Sequence, residues 1–217
     1  MNIEQARFNM IEQQIRTWEV LDAGVLELLA RVKREQFVPA EQRALAFADL
    51  EIPIGRGEAM MQPKVEARII QELAVKPHET VYEVGTGSGY LTALLAAGAK
   101  HVTSAEIHED LKARGEANLR AAGVANVTLL VGDSARAPLA ESAFDVIVLT
   151  GSTPVLPQAF LDRLTPTGRL FAVVGDRPVM KAVVVRQPTP GAFQRIEMFE
   201  TMVKPLVNAA EPPRFRF

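Results

Sequence analysis

A short apolar segment that runs directly into a glycine-rich turn places the strongest constraint on this fold. Residues 81–90 read VYEVGTGSGY, and a helix-forming run, YLTALLAAGA, continues from Tyr90. A buried strand that turns through glycines into a helix is the first half of a βαβ unit. The pattern recurs in four further strand candidates: 101–107, 127–133, 144–151 and 168–175. Strands that alternate with helices predict parallel pairing, and therefore a doubly wound, Rossmann-like α/β sheet.

The flanking segments follow other patterns. Residues 4–34 carry apolar side chains at helical spacing and are predicted to be helical. Residues 35–63 contain three prolines and two glycines, which predict a long, partly ordered connection. A helix is expected over 155–164, and residues 181–200 predict an antiparallel hairpin around the turn PTPG. The 217 residues suit one domain, divided into three parts: N-terminal helices and loop (1–63), cofactor-binding core (64–177), and C-terminal hairpin and tail (178–217).

Composition argues against several classes of function. The net charge of −2 gives no general attraction to nucleic acid or to anionic lipid. The chain has no cysteine, so disulfides, thiolate metal sites and cysteine nucleophiles are excluded. Its three histidines lack the spacing of metal ligands, and no metal site is expected. Because the N-terminus does not resemble a signal peptide and no apolar stretch could span a bilayer, we expect a cytoplasmic protein.

The glycine turn also indicates the kind of ligand. A dinucleotide fingerprint reads G-x-G-x-x-G, whereas this turn reads E-x-G-x-G-x-G. That pattern resembles the first motif of the class I S-adenosylmethionine-dependent methyltransferases, whose cofactor carries an ammonium and a sulfonium that a carboxylate favours. Glu106 ends the second strand, where an acidic side chain can accept both ribose hydroxyls, and Asp133 ends the third, where the family contacts adenine. The predicted cofactor-binding residues are Glu83, Gly85, Thr86, Gly87, Ser88, Gly89, Tyr90, Glu106, Ile107, Asp133 and Ser134.

Motifs outside the glycine turn narrow the resemblance. FVP, ALAFADLEIPIG and QPKVEARIIQEL precede the turn, VGDSARAPLAESAFDVIVLTG follows it, and MVKPLV lies near the C-terminus. In this order, over nearly the whole chain, they resemble the protein L-isoaspartate (D-aspartate) O-methyltransferase family. The resemblance implies methyl esterification of an isomerised aspartyl residue in a protein or peptide. The ester then collapses to a succinimide that can reopen to normal aspartate, which makes the reaction a repair step.

The acceptor side departs from the family pattern. In the segment IPIGRGEAMMQP (52–63), Met61 stands at the position of the family's active-site serine and Ala59 at that of its threonine. Met61 is thus the only catalytic candidate, although a thioether cannot donate a hydrogen bond to a carboxylate. The methionine pair either packs the loop or lines a changed acceptor pocket. Ser134 and Lys204 replace the family's glycine and valine.

More than one acceptor is compatible with this sequence. The loop 52–63 and residues 150–154 are expected to border the acceptor, and Arg56 could attract an acidic one. An exocyclic base amine is disfavoured because residues 150–154 read TGSTP rather than Asn/Asp-Pro-Pro-aromatic. We predict an L-isoaspartyl carboxyl methyltransferase. A methyltransferase with a small-molecule acceptor and a cofactor-binding relative without turnover are the alternatives.

Overall fold

A central sheet of seven strands organises the computed structural model, which describes residues 2–189 and 191–212. A separate N-terminal hairpin consists of β1 (Ile52–Gly55) and β2 (Glu58–Met60). The strands of the central sheet are β3 Thr80–Val84, β4 His101–Glu106, β5 Val127–Val131, β6 Phe144–Thr153, β7 Leu164–Asp176, β8 Val179–Thr189 and β9 Ala192–Glu200. Their order across the sheet is β5-β4-β3-β6-β7-β8-β9.

The first five strands of this sheet, β3 to β7, pair in parallel, and β8 and β9 add an antiparallel hairpin at one edge. From β3 the chain proceeds outward through β4 to β5, then returns to add β6 on the other side. The order therefore reverses between β3 and β6, and such a switch point creates a crevice at the carboxyl ends of the strands. The predicted fold class is confirmed. Pro190, in the predicted hairpin turn, lies outside the described residues.

Most of the helices pack on one face of the sheet, and the helix Gln158–Leu161 packs on the other. Their bounds are α1 Ile3–Asn9, α2 Ala23–Arg31, α3 Pro63–Leu73, α4 Tyr90–Gly98, α5 Glu109–Ala121 and α6 Gln158–Leu161. A π-helical turn and a 3₁₀ turn prolong α1 as far as Trp18. Glu19 then adopts a left-handed conformation (φ 62°), and the side chain of Asp22 caps α2 by accepting from the Val25 N–H at 3.0 Å. The predicted N-terminal helices are confirmed, with a break at residues 19–22.

Two predictions of local structure were wrong. The segment 35–63 is ordered, with 3₁₀ turns at Arg34–Gln36 and Ala40–Leu45 followed by the β1–β2 hairpin. The glycines do not disrupt regular structure there, because Gly55 and Gly57 supply the positive φ of the hairpin turn (101° and 73°). The helix predicted over 155–164 is limited to α6, since Pro157 precedes it and β7 begins at Leu164.

The strands divide their side chains between two hydrophobic cores. In β6, Val146 and Val148 face the core shared with α2 to α5, while Ile147 and Leu149 face the second core, where Phe160 of α6 packs. This period-two alternation is what a sheet buried on both faces requires. In the part of the chain that the structure describes, no helix is long and apolar enough to cross a membrane.

A buried arginine joins the N-terminal segment to the rest of the molecule. Arg34 is 1% exposed; its Nε donates to the Ala46 carbonyl at 3.1 Å and its Nη2 to the Met61 carbonyl at 2.7 Å. Its Nη1 pairs with the buried carboxylate of Glu66 in α3, and the guanidinium lies 5.0 Å from the centroid of the Tyr90 ring. One side chain therefore connects the hairpin with α3 and α4.

Removing this guanidinium should be costly. We expect Arg34→Met to lower the free energy of unfolding by about 3–5 kcal/mol, because Glu66 and two carbonyls lose a buried partner. Arg16→Met, which breaks an exposed pair with Glu12, is the control and should change it by less than about 0.5 kcal/mol. Urea titration measures both. A loss in Arg34→Met/Glu66→Gln equal to the sum of the single losses would contradict coupling between the two groups.

Candidate active site

A cleft lies at the carboxyl ends of β3, β4, β5 and β6, at the switch point of the sheet. The β1–β2 hairpin and residues 203–207 both border it, and they contact each other through Lys204 and Glu58. The empty space within it, including the part open to solvent, is about 790 Å³. Of the residues predicted from the sequence, seven line this cleft: Met61, Gly85, Gly87, Glu106, Ile107, Asp133 and Ser134. Thr86 and Ser88 line a smaller pocket beneath the hairpin.

The glycine turn is shaped by contacts within the protein. Gly85, Gly87 and Gly89 have φ values of 97°, 53° and 85°, which side chains rarely adopt. A Cβ on Gly85 would lie 2.2 Å from the Thr150 hydroxyl, and one on Gly89 3.1 Å from the Gly115 carbonyl in α5. Gly85 and Gly89 are therefore required by packing alone. On Gly87, a Cβ would lie 3.1 Å from Ile54 of the hairpin.

Two carboxylates at strand ends are held by backbone donors. Glu106 is 4% exposed; its Oε2 accepts from the Gly87 N–H at 2.8 Å and its Oε1 from the His108 N–H at 3.0 Å. Asp133 accepts from the Ala135 N–H at 3.0 Å and from the side-chain amide of Asn208 at 2.8 Å. A carboxylate oxygen can accept more than one hydrogen bond, so Glu106 can still bind hydroxyls from the cleft.

Three predicted residues, Glu83, Gly89 and Tyr90, are buried in the protein and do not line the cleft. Glu83 is completely buried, and its Oε2 accepts from the hydroxyls of Thr92 at 2.5 Å and Ser104 at 2.7 Å. Ser104 in turn accepts from the Thr86 hydroxyl at 2.6 Å, so Glu83 anchors the glycine turn from below. Burial, the largest effect, raises the pKa of Glu83 from 4.5 to about 7, against these hydrogen bonds.

The acceptor-side loop presents apolar groups to the cleft. Ala59 is exposed and Met61 only 8% exposed, and both line the cleft. Met61 also belongs to the main hydrophobic core, so its side chain both packs the hairpin and forms part of the cleft wall. Arg56 is exposed, pairs with Asp110 at 2.9 Å, and is absent from the lining. From the segment 150–154, Thr150 and Gly151 reach the cleft.

Residues 203–207, predicted from the sequence only as part of a C-terminal tail, contribute to the cleft. All five line the cleft. Ser152, at the end of β6, donates its N–H to the Lys204 carbonyl and accepts from the Leu206 N–H, both at 2.9 Å. Its hydroxyl also donates to the Val203 carbonyl at 2.8 Å. The match of MVKPLV to the family pattern was the available signal. No group of three or more metal-ligating side chains occurs within residues 2–189 and 191–212.

A parallel sheet with this strand order, an antiparallel C-terminal hairpin and a cleft at the switch point defines a Rossmann-like methyltransferase fold. The family model described as protein-L-isoaspartate(D-aspartate) O-methyltransferase matches residues 5–211. The chain therefore belongs to that family, as its sequence motifs predicted.

Similar proteins span nearly the same length. A protein-L-isoaspartate O-methyltransferase of Methanoculleus marisnigri is 39% identical over 171 residues, 79% of this chain and 78% of the relative. One from Koribacter versatilis is 34% identical over 202 residues, 93% of this chain and 90% of the relative. The structure of a Plasmodium falciparum protein described as a putative protein-L-isoaspartate O-methyltransferase, in complex with S-adenosyl-L-homocysteine, has the same fold. Its TM-score is 0.80 at 18% identity, covering 93% of this chain and 98% of that one.

The buried carboxyl of Glu83 should make stability depend on pH. The folded protein keeps a proton there that the unfolded chain releases above about pH 4.5, so the free energy of unfolding should fall as pH rises toward about 7. Glu83→Gln has no group that ionises at this position. Its free energy of unfolding should therefore rise relative to that of wild type by on the order of 2–3 kcal/mol between about pH 4 and about pH 8. Urea unfolding across this range measures the difference. Parallel pH curves would show that Glu83 ionises at its ordinary pKa in the folded state.

Proposed function

We propose that this protein transfers the methyl group of S-adenosylmethionine to the free α-carboxylate of L-isoaspartyl residues in proteins or peptides, as a repair reaction. The observation that carries the proposal is membership of the family over residues 5–211. The proposal includes a cytoplasmic setting, which is the compartment expected from the sequence. A small-molecule acceptor is an outcome that the experiments below can reveal.

The cleft suits the proposed cofactor in shape and charge. We assign the methionyl portion to the turn at Gly85 and Gly87, the ribose hydroxyls to Glu106, and the adenine to Asp133 and Ser134. The hydrogen bonds of Glu106 support its assigned role, because backbone donors fix the carboxylate while lone pairs remain on both oxygens. Carboxylates near the cleft also favour a ligand that carries a sulfonium and an ammonium.

The reaction needs orientation more than acid–base chemistry. A carboxylate oxygen of the acceptor attacks the methyl carbon, the carbon–sulfur bond breaks, and its electron pair goes to sulfur. The products are a neutral ester and S-adenosylhomocysteine, and no proton is transferred, so an ionised carboxylate requires no general base. The enzyme's main task is to hold the carboxylate in line with the carbon–sulfur bond. Any donor to that carboxylate is a positioning group.

Binding measurements test the assignment of the ribose hydroxyls to Glu106. Glu106→Gln should weaken the binding of S-adenosylhomocysteine by about 1.5–3 kcal/mol, because a hydrogen bond to a charged group is lost. The same substitution should reduce the affinity for an analogue without the two ribose hydroxyls much less. Calorimetric titration gives both affinities, and Glu109→Gln, an exposed neighbour, is the control. Equal losses of affinity for the two ligands would show that Glu106 does not bind the ribose hydroxyls.

Restoring the family's hydroxyls tests the acceptor side. We expect wild type to methylate an L-isoaspartyl peptide slowly, with the aspartyl peptide as the negative control. Ala59→Thr/Met61→Ser should be about tenfold faster or more, because a hydroxyl can orient the carboxylate. Ala59→Val/Met61→Ala creates a comparable cavity without hydroxyls, so the ratio of kcat/KM between the two double variants isolates the hydroxyl effect.

The possible results of this assay have distinct meanings. Fast wild-type transfer with no gain in the hydroxyl variant would show that other donors suffice at the acceptor site. Absence of isoaspartyl methylation in wild type and in both double variants, with normal cofactor affinity, would contradict the proposed function and favour another acceptor.

A further inference from the structure

The backbone of Lys204 is fixed at the rim of the cleft. Its carbonyl accepts from the Ser152 N–H, and the adjoining Val203 carbonyl accepts from the Ser152 hydroxyl. Ser152 is completely buried at the end of β6, so the segment cannot shift without losing these bonds. The Lys204 side chain is 45% exposed and extends from this fixed point toward the hairpin. An anchored backbone with an accessible head group suits a ligand-binding side chain.

The charges around the cleft set Lys204 apart. Four carboxylates line it: Glu51, Glu58, Glu106 and Asp133. They favour a cationic cofactor but repel an acceptor that must enter as a carboxylate. Among the described residues that line the cleft, Lys204 carries the one cationic side chain. Arg56, the cation predicted from the sequence to attract an acidic acceptor, lies outside the lining.

The Lys204 ammonium is already paired with a carboxylate of the protein. Its Nζ donates to the Gly57 carbonyl at 3.0 Å and forms an ion pair with Oε1 of Glu58, next to Ala59. His108 Nε2 lies 3.9 Å from the same oxygen and has no hydrogen-bond partner of its own among the residues that the structure describes. In the tautomer with a proton on Nε2, His108 can receive Glu58 if that carboxylate leaves Lys204. A second partner for Glu58 therefore lies beside the ion pair.

We propose that Lys204 is a positioning residue that binds the acceptor carboxylate. In the absence of an acceptor, the carboxylate of Glu58 occupies this position on the ammonium, and the acceptor displaces it. The inference rests on the proposed function, because it names the group that recognises the isoaspartyl carboxylate. It also supplies a donor on the side of the cleft where Ala59 and Met61 offer none. The ligand class is a free carboxylate beside a peptide backbone.

The proposal predicts a specific division between KM and kcat. The acceptor carboxylate loses its negative charge as the ester forms, so an ammonium stabilises the bound acceptor more than the transition state. Lys204→Met should therefore raise the KM of the isoaspartyl peptide, by roughly 10- to 100-fold, with kcat unchanged or higher. Lys204→Arg should keep most of the affinity. Glu58→Gln should lower KM, because a neutral amide competes less for Lys204.

A binding experiment separates charge recognition from a loosened hairpin. We would titrate wild type and Lys204→Met, each saturated with S-adenosylhomocysteine, with the isoaspartyl peptide and with the same peptide carrying a carboxamide instead of the carboxylate. Wild type should prefer the acid by at least about tenfold, and Lys204→Met should show no preference. Arg56→Met is the matched control, because it breaks the other ion pair of the same turn, with Asp110, and should keep the preference.

The results identify which proposal fails. If wild type methylates isoaspartyl peptides and Lys204→Met keeps both the KM and the acid preference, the role of Lys204 is overturned and the proposed function stands. Equal losses of acid, amide and cofactor affinity would show that Lys204 only fastens the hairpin, which also overturns its role. If wild type neither methylates the peptide nor prefers the acid, both proposals fail.

Discussion

The buried guanidinium of Arg34 is the interaction on which the candidate active site depends. It donates to the carbonyls of Ala46 and Met61, pairs with Glu66, and lies against the ring of Tyr90. These partners lie in the segment before the hairpin, directly after β2, in α3 and in α4. A buried cation must satisfy its donors or incur a large desolvation cost, so the four elements are held in one arrangement. The hairpin consequently borders the cleft in a defined position.

The two halves of the cleft are built in different ways. Around the glycine turn, where we propose that the cofactor binds, the backbone sets the shape: the turn is fixed by contacts with Thr150 and α5, and the Gly87 N–H orients Glu106. On the side proposed for the acceptor, side chains from the hairpin and from residues 203–207 form the walls. A substitution there changes the chemistry of the wall without disturbing the sheet, which explains how Met61 and Lys204 occur within an otherwise conventional fold.

The extent to which the sequence predicted the structure follows from the range of the interactions. Strands that alternate with helices are local patterns, so the parallel sheet and its glycine turn were recognised correctly. The hairpin was missed because Gly55 and Gly57 were interpreted as disrupting structure, although the alternation of Ile52 and Ile54 was the signal of a strand. Burial of Glu83 and the return of residues 203–207 to β6 depend on tertiary contacts that no local pattern contains.

Glu83 shows how a motif residue can shape a site without lining it. Its carboxylate lies beneath the glycine turn, where Thr92 and Ser104 donate to it and Ser104 accepts from Thr86. Deep burial favours the protonated form, which is a poor direct partner for a cation. Glu106, one strand away, instead presents its carboxylate to the cleft, together with Asp133. The acidic residue that opens the motif thus orders the turn, and the acidic residue of the next strand faces the cleft.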